Sequence, residues 1–265
     1  MTPLHDSSSI SRRTFLHLAG VGTAGAFAAA CDVGGVRDAL AVTPSGRLTA
    51  RPGTPTGTIA AGEHRLSLGG ERDGVLYVPT SYAASRPATL VLMLHGAGGS
   101  ATGALRPFRT LADDAGLVLV APESRGTTWD AIRSTYGPDI AFIDRVLESV
   151  FSRVAVDPNR LTVEGFSDGA TYAIGVGLTN GDLFKRVIAF SPGFIPAVEP
   201  HERPSIFVSH GTRDPILPID QCSRRIVPEL QRARYTVRYK EFDGPHTVPV
   251  DIAREAIAWM GGTSG

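Results

Sequence analysis

Short, uninterrupted apolar runs alternate with longer stretches of helical period from about residue 63 onward. The run 89–94, Thr-Leu-Val-Leu-Met-Leu, has no polar face, which is the pattern of a parallel strand covered on both sides. Runs 117–121, 186–190 and 205–209 read the same way, and 235–242 is the last strand of the series. Ahead of them, 63–68 alternates and 75–78 is apolar, with Gly69-Gly70 and Asp73-Gly74 between, so the two are expected to pair antiparallel. Helical patterns occupy 105–115, 138–153, 219–233 and 248–260. In the second of these Ile140, Ile143, Val146, Leu147 and Val150 share one face, Pro138 suits a first turn, and Asp139 suits the positive helix end. Pro122 stops one strand, and Asp157-Pro158 turns the chain into the next. This alternation predicts one α/β domain: a mostly parallel central sheet flanked by right-handed crossover helices, with no internal repeat and no segment long enough for a large lid.

Stretch 161–172 carries the first chemical signal. A short strand runs into Gly165-Phe166-Ser167-Asp168-Gly169, and the small residues Ala170, Thr171 and Ala173 open a helix. A G-x-S-x-G at a strand-to-helix turn lifts the serine hydroxyl clear of the backbone, the layout of a nucleophile elbow. Serine chemistry then needs a base and an acid that orients it, and on such an elbow the acid precedes the histidine in the chain. His201, His210 and His246 follow Ser167, but only His246 lies beyond Asp214 of Ser209-His-Gly-Thr-Arg-Asp-Pro215. Ser167, Asp214 and His246 all fall at carboxyl ends of expected strands, where open α/β sheets place their sites. Asp243 and Glu241 are rival acids, and His210 is expected to support the acid loop by hydrogen bonding. An oxyanion site needs two backbone N–H groups. Asp168, next to the nucleophile, and Ala97 of His95-Gly96-Ala97-Gly98-Gly99 are the candidates. That glycine-rich loop contains neither phosphate-binding motif. Trp129 and Phe194, in loops near strand ends, are candidates for lining a substrate pocket.

A hydrophobic fraction of 42% and zero formal net charge over 265 residues describe an ordinary globular chain, with neither a basic surface for nucleic acid nor an acidic tail. The N-terminus departs from it. Ser11-Arg12-Arg13-Thr14-Phe15-Leu16 precedes an uncharged, Gly/Ala-rich stretch 18–30, shorter than the roughly 20 residues that span a bilayer. Residues 1–30 therefore resemble a twin-arginine export signal, cleaved after Ala28-Ala29-Ala30, which implies the export machinery as partner and a periplasmic, cell-envelope or extracellular location. Cys31 then resembles a lipid-accepting cysteine, although Ala28 stands where a larger aliphatic residue is usual. Residues 31–58 are rich in Gly, Pro and Thr without sustained period and read as a flexible linker, leaving 59–262 as the catalytic domain. The other cysteine, Cys222, is expected to be a buried spectator; export would permit a disulfide to Cys31, but a leader cysteine is a poor staple for a core.

Leu94-His-Gly-Ala-Gly-Gly99, Gly165-Phe-Ser-Asp-Gly169, His210-Gly-Thr-Arg-Asp-Pro215 and Gly244-Pro-His246 together resemble the α/β-hydrolase superfamily. Within it the chain looks like the carboxylesterase and phospholipase/acyl-thioesterase family, with likeness to exported polyhydroxybutyrate depolymerase and feruloyl esterase relatives, over about 75–260. The resemblance implies Ser167 as nucleophile, Asp214 as acid, His246 as base, and Ala97 and Asp168 as oxyanion donors. It implies a small or polymeric ester as substrate and neither cofactor nor metal. Asp168 departs from it, since such carboxylesterases often carry Gln there. A peptidase or lactonase on the same fold, and a catalytically silent binding protein of the envelope, are the alternatives.

Overall fold

A computed structural model describes residues 46–68 and 70–262. The expected signal, the cleavage site and Cys31 lie outside these residues. Eight strands form one sheet: β1 (Gly62–Arg65), β2 (Gly74–Val78), β3 (Ala88–Leu94), β4 (Leu117–Pro122), β5 (Val156–Phe166), β6 (Arg186–Phe190), β7 (Ser205–Gly211) and β8 (Val237–Phe242). Their spatial order is β1-β2-β4-β3-β5-β6-β7-β8. The β1–β2 and β2–β4 pairs are antiparallel, and every other pair is parallel. The short β1–β2 connection allows the antiparallel pairing; the parallel pairs need the longer crossovers seen from β3 onward, helical except for 191–204 between β6 and β7.

Side-chain alternation in the strands builds two cores. Leu90, Leu92 and Leu94 of β3, with Leu161 and Val163 of β5, face helices α4 (Pro138–Phe151), α5 (Asp168–Thr179) and α6 (Ser223–Arg232). Val91 and Met93 of β3 face the opposite side, beneath α1 (Ala101–Arg109), α2 (Ala112–Ala115) and α7 (Val250–Gly261). The one-turn helix α3 (Asp130–Arg133) lies in the loop after β4. The strands therefore lack a polar face because helices cover both.

Local departures from the sequence expectations have local causes. The helix expected over 105–115 starts at Ala101, where the Ser100 hydroxyl accepts from the Gly103 N–H at 3.2 Å, and it breaks before α2. The Asp157-Pro158 turn lies inside β5, whose register with β3 jumps from Ala88↔Val156 to Leu90↔Leu161, so that 157–160 bulge outward.

The folded domain also begins before residue 59, contrary to the expected linker. Leu48 and Ala50 are buried, and the Leu48 N–H donates to Asn180 Oδ1 at 2.8 Å. Asp144 accepts from the N–H groups of Thr49 and Ala50, each at 2.8 Å, and Arg47 pairs in bidentate fashion with Asp182 at 2.9 and 3.0 Å. Further on, Thr56 and Gly57 donate to the Ser152 carbonyl at 3.0 and 2.9 Å. Two apolar residues make no period, and every one of these partners is distant in sequence, so the segment reads as a linker until its partners are placed. Leu48→Ala is expected to lower the unfolding free energy by about 2–4 kcal/mol in urea denaturation, as for a buried core leucine; a mobile linker residue would change it by less than about 0.5 kcal/mol.

Candidate active site

Ser167 stands between β5 and α5 with φ 58° and ψ −121°, a left-handed conformation costly for a residue with a side chain. Gly165 and Gly169 make the turn possible. A Cβ on Gly165 would lie 2.2 Å from the Gly169 carbonyl oxygen, and one on Gly169 would lie 2.0 Å from that of Leu94. The Ser167 N–H donates to Phe190 O at 2.9 Å, and its carbonyl accepts from the Thr171 N–H at 3.0 Å, fixing the turn from both sides.

The acid and histidine loops follow β7 and β8 and are joined to each other. Thr212 N–H donates to Phe242 O at 2.8 Å and Arg213 N–H to Gly244 O at 3.0 Å. Across that seam His246 Nδ1 donates to Asp214 Oδ2 at 2.5 Å, which leaves His246 Nε2 as the acceptor of the Ser167 hydroxyl at 2.9 Å. The line Asp214–His246–Ser167 is complete. Asp214 is buried, and burial alone would raise its pKa; the Leu217 N–H, His246 and the Ile216 N–H outweigh it and hold the carboxyl below its usual range. The rival acids are engaged elsewhere: Asp243 pairs with Arg213 at 2.9 Å, and Glu241 with Arg224 at 2.7 Å.

His210 supports the acid loop, as expected. Its ring accepts from the Ser223 hydroxyl at Nδ1 (2.7 Å) and donates from Nε2 to the Leu217 carbonyl (2.8 Å), with Asp214 Oδ2 3.2 Å away. Those contacts suit the neutral ring, and burial lowers its pKa. His95 does a similar task in the loop after β3. Its Nε2 accepts the Ser124 N–H at 3.0 Å, its Nδ1 donates to Gly96 O at 2.7 Å, and burial again lowers its pKa. This brings Gly96 against the nucleophile: a Cβ there would lie 3.3 Å from that of Ser167. Ala97 follows at the exposed tip of the loop, and the Asp168 N–H is one of the unpaired amides of the first turn of α5. The Asp168 carboxylate accepts the Thr128 hydroxyl at 2.6 Å, tying the loop after β4 to the elbow. Among the described residues no three His, Cys, Asp or Glu side chains are grouped to hold a metal ion.

Beside His246 a cavity of about 450 Å³ opens toward α1 and α7, lined in part by Gly96, Ala97, Phe166, Val248 and Glu164. The Phe166 ring packs on the His246 ring with centroids 4.6 Å apart.

The fold has counterparts among solved structures. Esterase PE8 superposes with a TM-score of 0.59 at 24% identity, covering 72% of this chain and 99% of that one. The fluorophosphonate-binding serine hydrolase FphF of Staphylococcus aureus gives 0.62 at 15% identity, covering 77% and 100%. The chain has the α/β-hydrolase fold. Residues 132–251 of this chain match the phospholipase/carboxylesterase family. It is 29% identical over 139 residues to the probable feruloyl esterase C of Aspergillus niger, which is 49% of this chain and 50% of the relative. The chain thus spans about half the length, or less, of the curated relatives it matches.

Neither expected pocket residue lines this cavity. Trp129 is buried beneath the loop after β3, where its Nε1 donates to the His95 carbonyl at 2.8 Å and its ring stacks on Tyr172 at 5.1 Å. Phe194 is 44% exposed; with Ile216 and Val250 it forms the large apolar side chains exposed among the described residues, all beyond the ends of β6, β7 and β8. Cys222 is buried with a free thiol, whose pKa burial raises. The sequence reasoning missed Glu164, Phe166 and Thr128. Glu164 had a signal, since it is a charge within the strand that runs into the elbow.

The two buried histidines make stability depend on pH in a defined direction. Both have folded pKa values below their ordinary 6.5, so below that pH the unfolded chain binds protons that the folded chain refuses. The stabilisation is fully present above about pH 6.5 and is lost as pH falls toward the depressed folded values. The urea midpoint of wild type measured against that of His210→Gln should therefore fall between pH 7.5 and pH 5.

Proposed function

We propose that this chain is a serine hydrolase that cleaves carboxylic esters through an acyl-enzyme. The observation that carries this is the unbroken hydrogen-bond line from Asp214 through His246 to Ser167. Ser167 Oγ attacks the ester carbonyl carbon while its proton passes to His246 Nε2. The N–H groups of Ala97 and Asp168 receive the charge that develops on the carbonyl oxygen. Collapse of the tetrahedral species expels the alcohol, which takes the proton from His246. A water molecule, deprotonated by the same nitrogen, then releases the acid and restores Ser167. Asp214 remains ionised throughout, holds the imidazole tautomer and stabilises the imidazolium.

Feruloyl esters are the second candidate substrate class, supported by the names of the relatives that share about half of this chain. Polyhydroxyalkanoates rest only on the sequence resemblance. With p-nitrophenyl esters, Ser167→Ala is expected to lower kcat by at least about 10⁴-fold and Asp214→Asn by about 10³–10⁴-fold. A Ser167→Ala rate equal to that of wild type overturns the mechanism, and no turnover by wild type favours the silent binding protein. Matched ester, amide and lactone substrates separate esterase from peptidase and lactonase.

We also propose export by the twin-arginine route, on the strength of Arg12-Arg13 and the uncharged stretch behind them. The location would be the periplasm, the cell envelope or the medium, with Cys31 as a lipid-anchor site. Replacing both arginines by lysine should retain the protein in the cytoplasmic fraction, whereas undiminished export would refute the route. Mass spectrometry of the mature N-terminus reads both cleavage and lipidation of Cys31.

A further inference from the structure

Glu164 is out of place by every local rule. In β5 the side chains of Leu161 and Val163 enter the core under α4 and α5, so 164 points to the other face. Its register partners there are Met93 of β3 and Ile188 of β6, both in the apolar core beneath α1 and α7. The residue is 1% exposed, and no described residue hydrogen-bonds its carboxyl. Burial alone pushes its pKa well above the usual carboxylate range, which favours the carboxylic acid, with an O–H to donate.

A buried acid without a protein partner forfeits its hydrogen bonds to water. Glu164 is positioned to recover one, because its side chain borders the cavity beside His246. The other walls there are largely apolar, among them Leu94, Ala104, Pro107, Phe166 and Val248. At about 450 Å³ the space suits an arm of a small organic ester.

We propose that Glu164 is a specificity-determining residue, whose carboxyl hydrogen-bonds an oxygen atom carried along the arm of the substrate that enters this cavity. The preferred substrates are then esters with an ether, ketone or hydroxyl oxygen in that arm, rather than alkyl esters of equal length. An oxygenated arm satisfies the acid, and an alkyl arm leaves it unpaired. This rests on the ester-hydrolase function above.

The test is kcat/KM on matched pairs of alkyl and methoxy- or keto-substituted esters of several lengths. One set varies the acyl arm of p-nitrophenyl esters, and the other varies the alcohol arm of butyrates. Wild type is expected to prefer the oxygenated member about tenfold or more in one set, as when a hydrogen bond to a buried group is made or lost. Glu164→Gln, which keeps a donor, should hold that ratio within about threefold, and Glu164→Met should bring it to about one. A purely structural role would lower both members of each pair alike. An unchanged ratio in Glu164→Met, or no preference by wild type in either set, overturns the proposal. Calorimetric binding of matched methoxy and alkyl amides to Ser167→Ala protein reads the same preference without turnover. A protein that hydrolyses none of the esters thus overturns the proposed reaction, while the binding ratio still decides the role of Glu164.

Discussion

Ser167 is held at φ 58° by the closure of β5 onto α5, with the Leu94 carbonyl of the adjacent strand packed against the same turn. Any side chain at 165 or 169 would occupy the space of a neighbouring backbone. The rest of the site depends on this steric constraint. It fixes where the serine hydroxyl points, and the loops after β3, β7 and β8 are arranged to meet it there. Strain at one residue persists because the packing of three elements over-determines it.

Three histidines around this turn illustrate how surroundings divide labour among identical side chains. His95 and His210 are fully enclosed, each ring donating at one nitrogen and accepting at the other, and both are tuned toward the neutral form. They brace loops. His246 keeps 13% of its side-chain surface exposed, has a carboxylate on one nitrogen and a hydroxyl on the other, and borders the cavity. That combination is what proton transfer requires: a fixed tautomer and an open approach. The Thr128–Asp168 bond ties the loop after β4 to the elbow, and the Trp129–His95 bond braces the loop after β3 in the same way.

Much of this was legible in the order of residues. The apolar runs became β3, β4, β6 and β7, and the elbow and the loop residues Asp214 and His246 came together as their chain order implied. What failed shares one cause: dependence on partners far away in sequence. Leu48 looked like linker because Asn180 and Asp144, which hold its segment, lie more than 90 residues distant. Trp129 looked like a pocket residue because its loop is near the site, but its indole is turned inward toward His95 and Tyr172.

By itself, then, the sequence determined the periodicities that make two-sided strands and amphipathic helices, the glycines that admit a strained serine, and the chain order of Ser167, Asp214 and His246. These are local steric and patterning properties, complete within a few residues of each position. Only the tertiary structure decided which carboxylate reaches His246, which aromatic residues face the cavity, and that Glu164 lies at its border with no hydrogen-bond partner among the described residues. Those depend on sheet order and register, which bring together side chains tens of residues apart, and a distance across the sheet has no counterpart in the spacing along the chain.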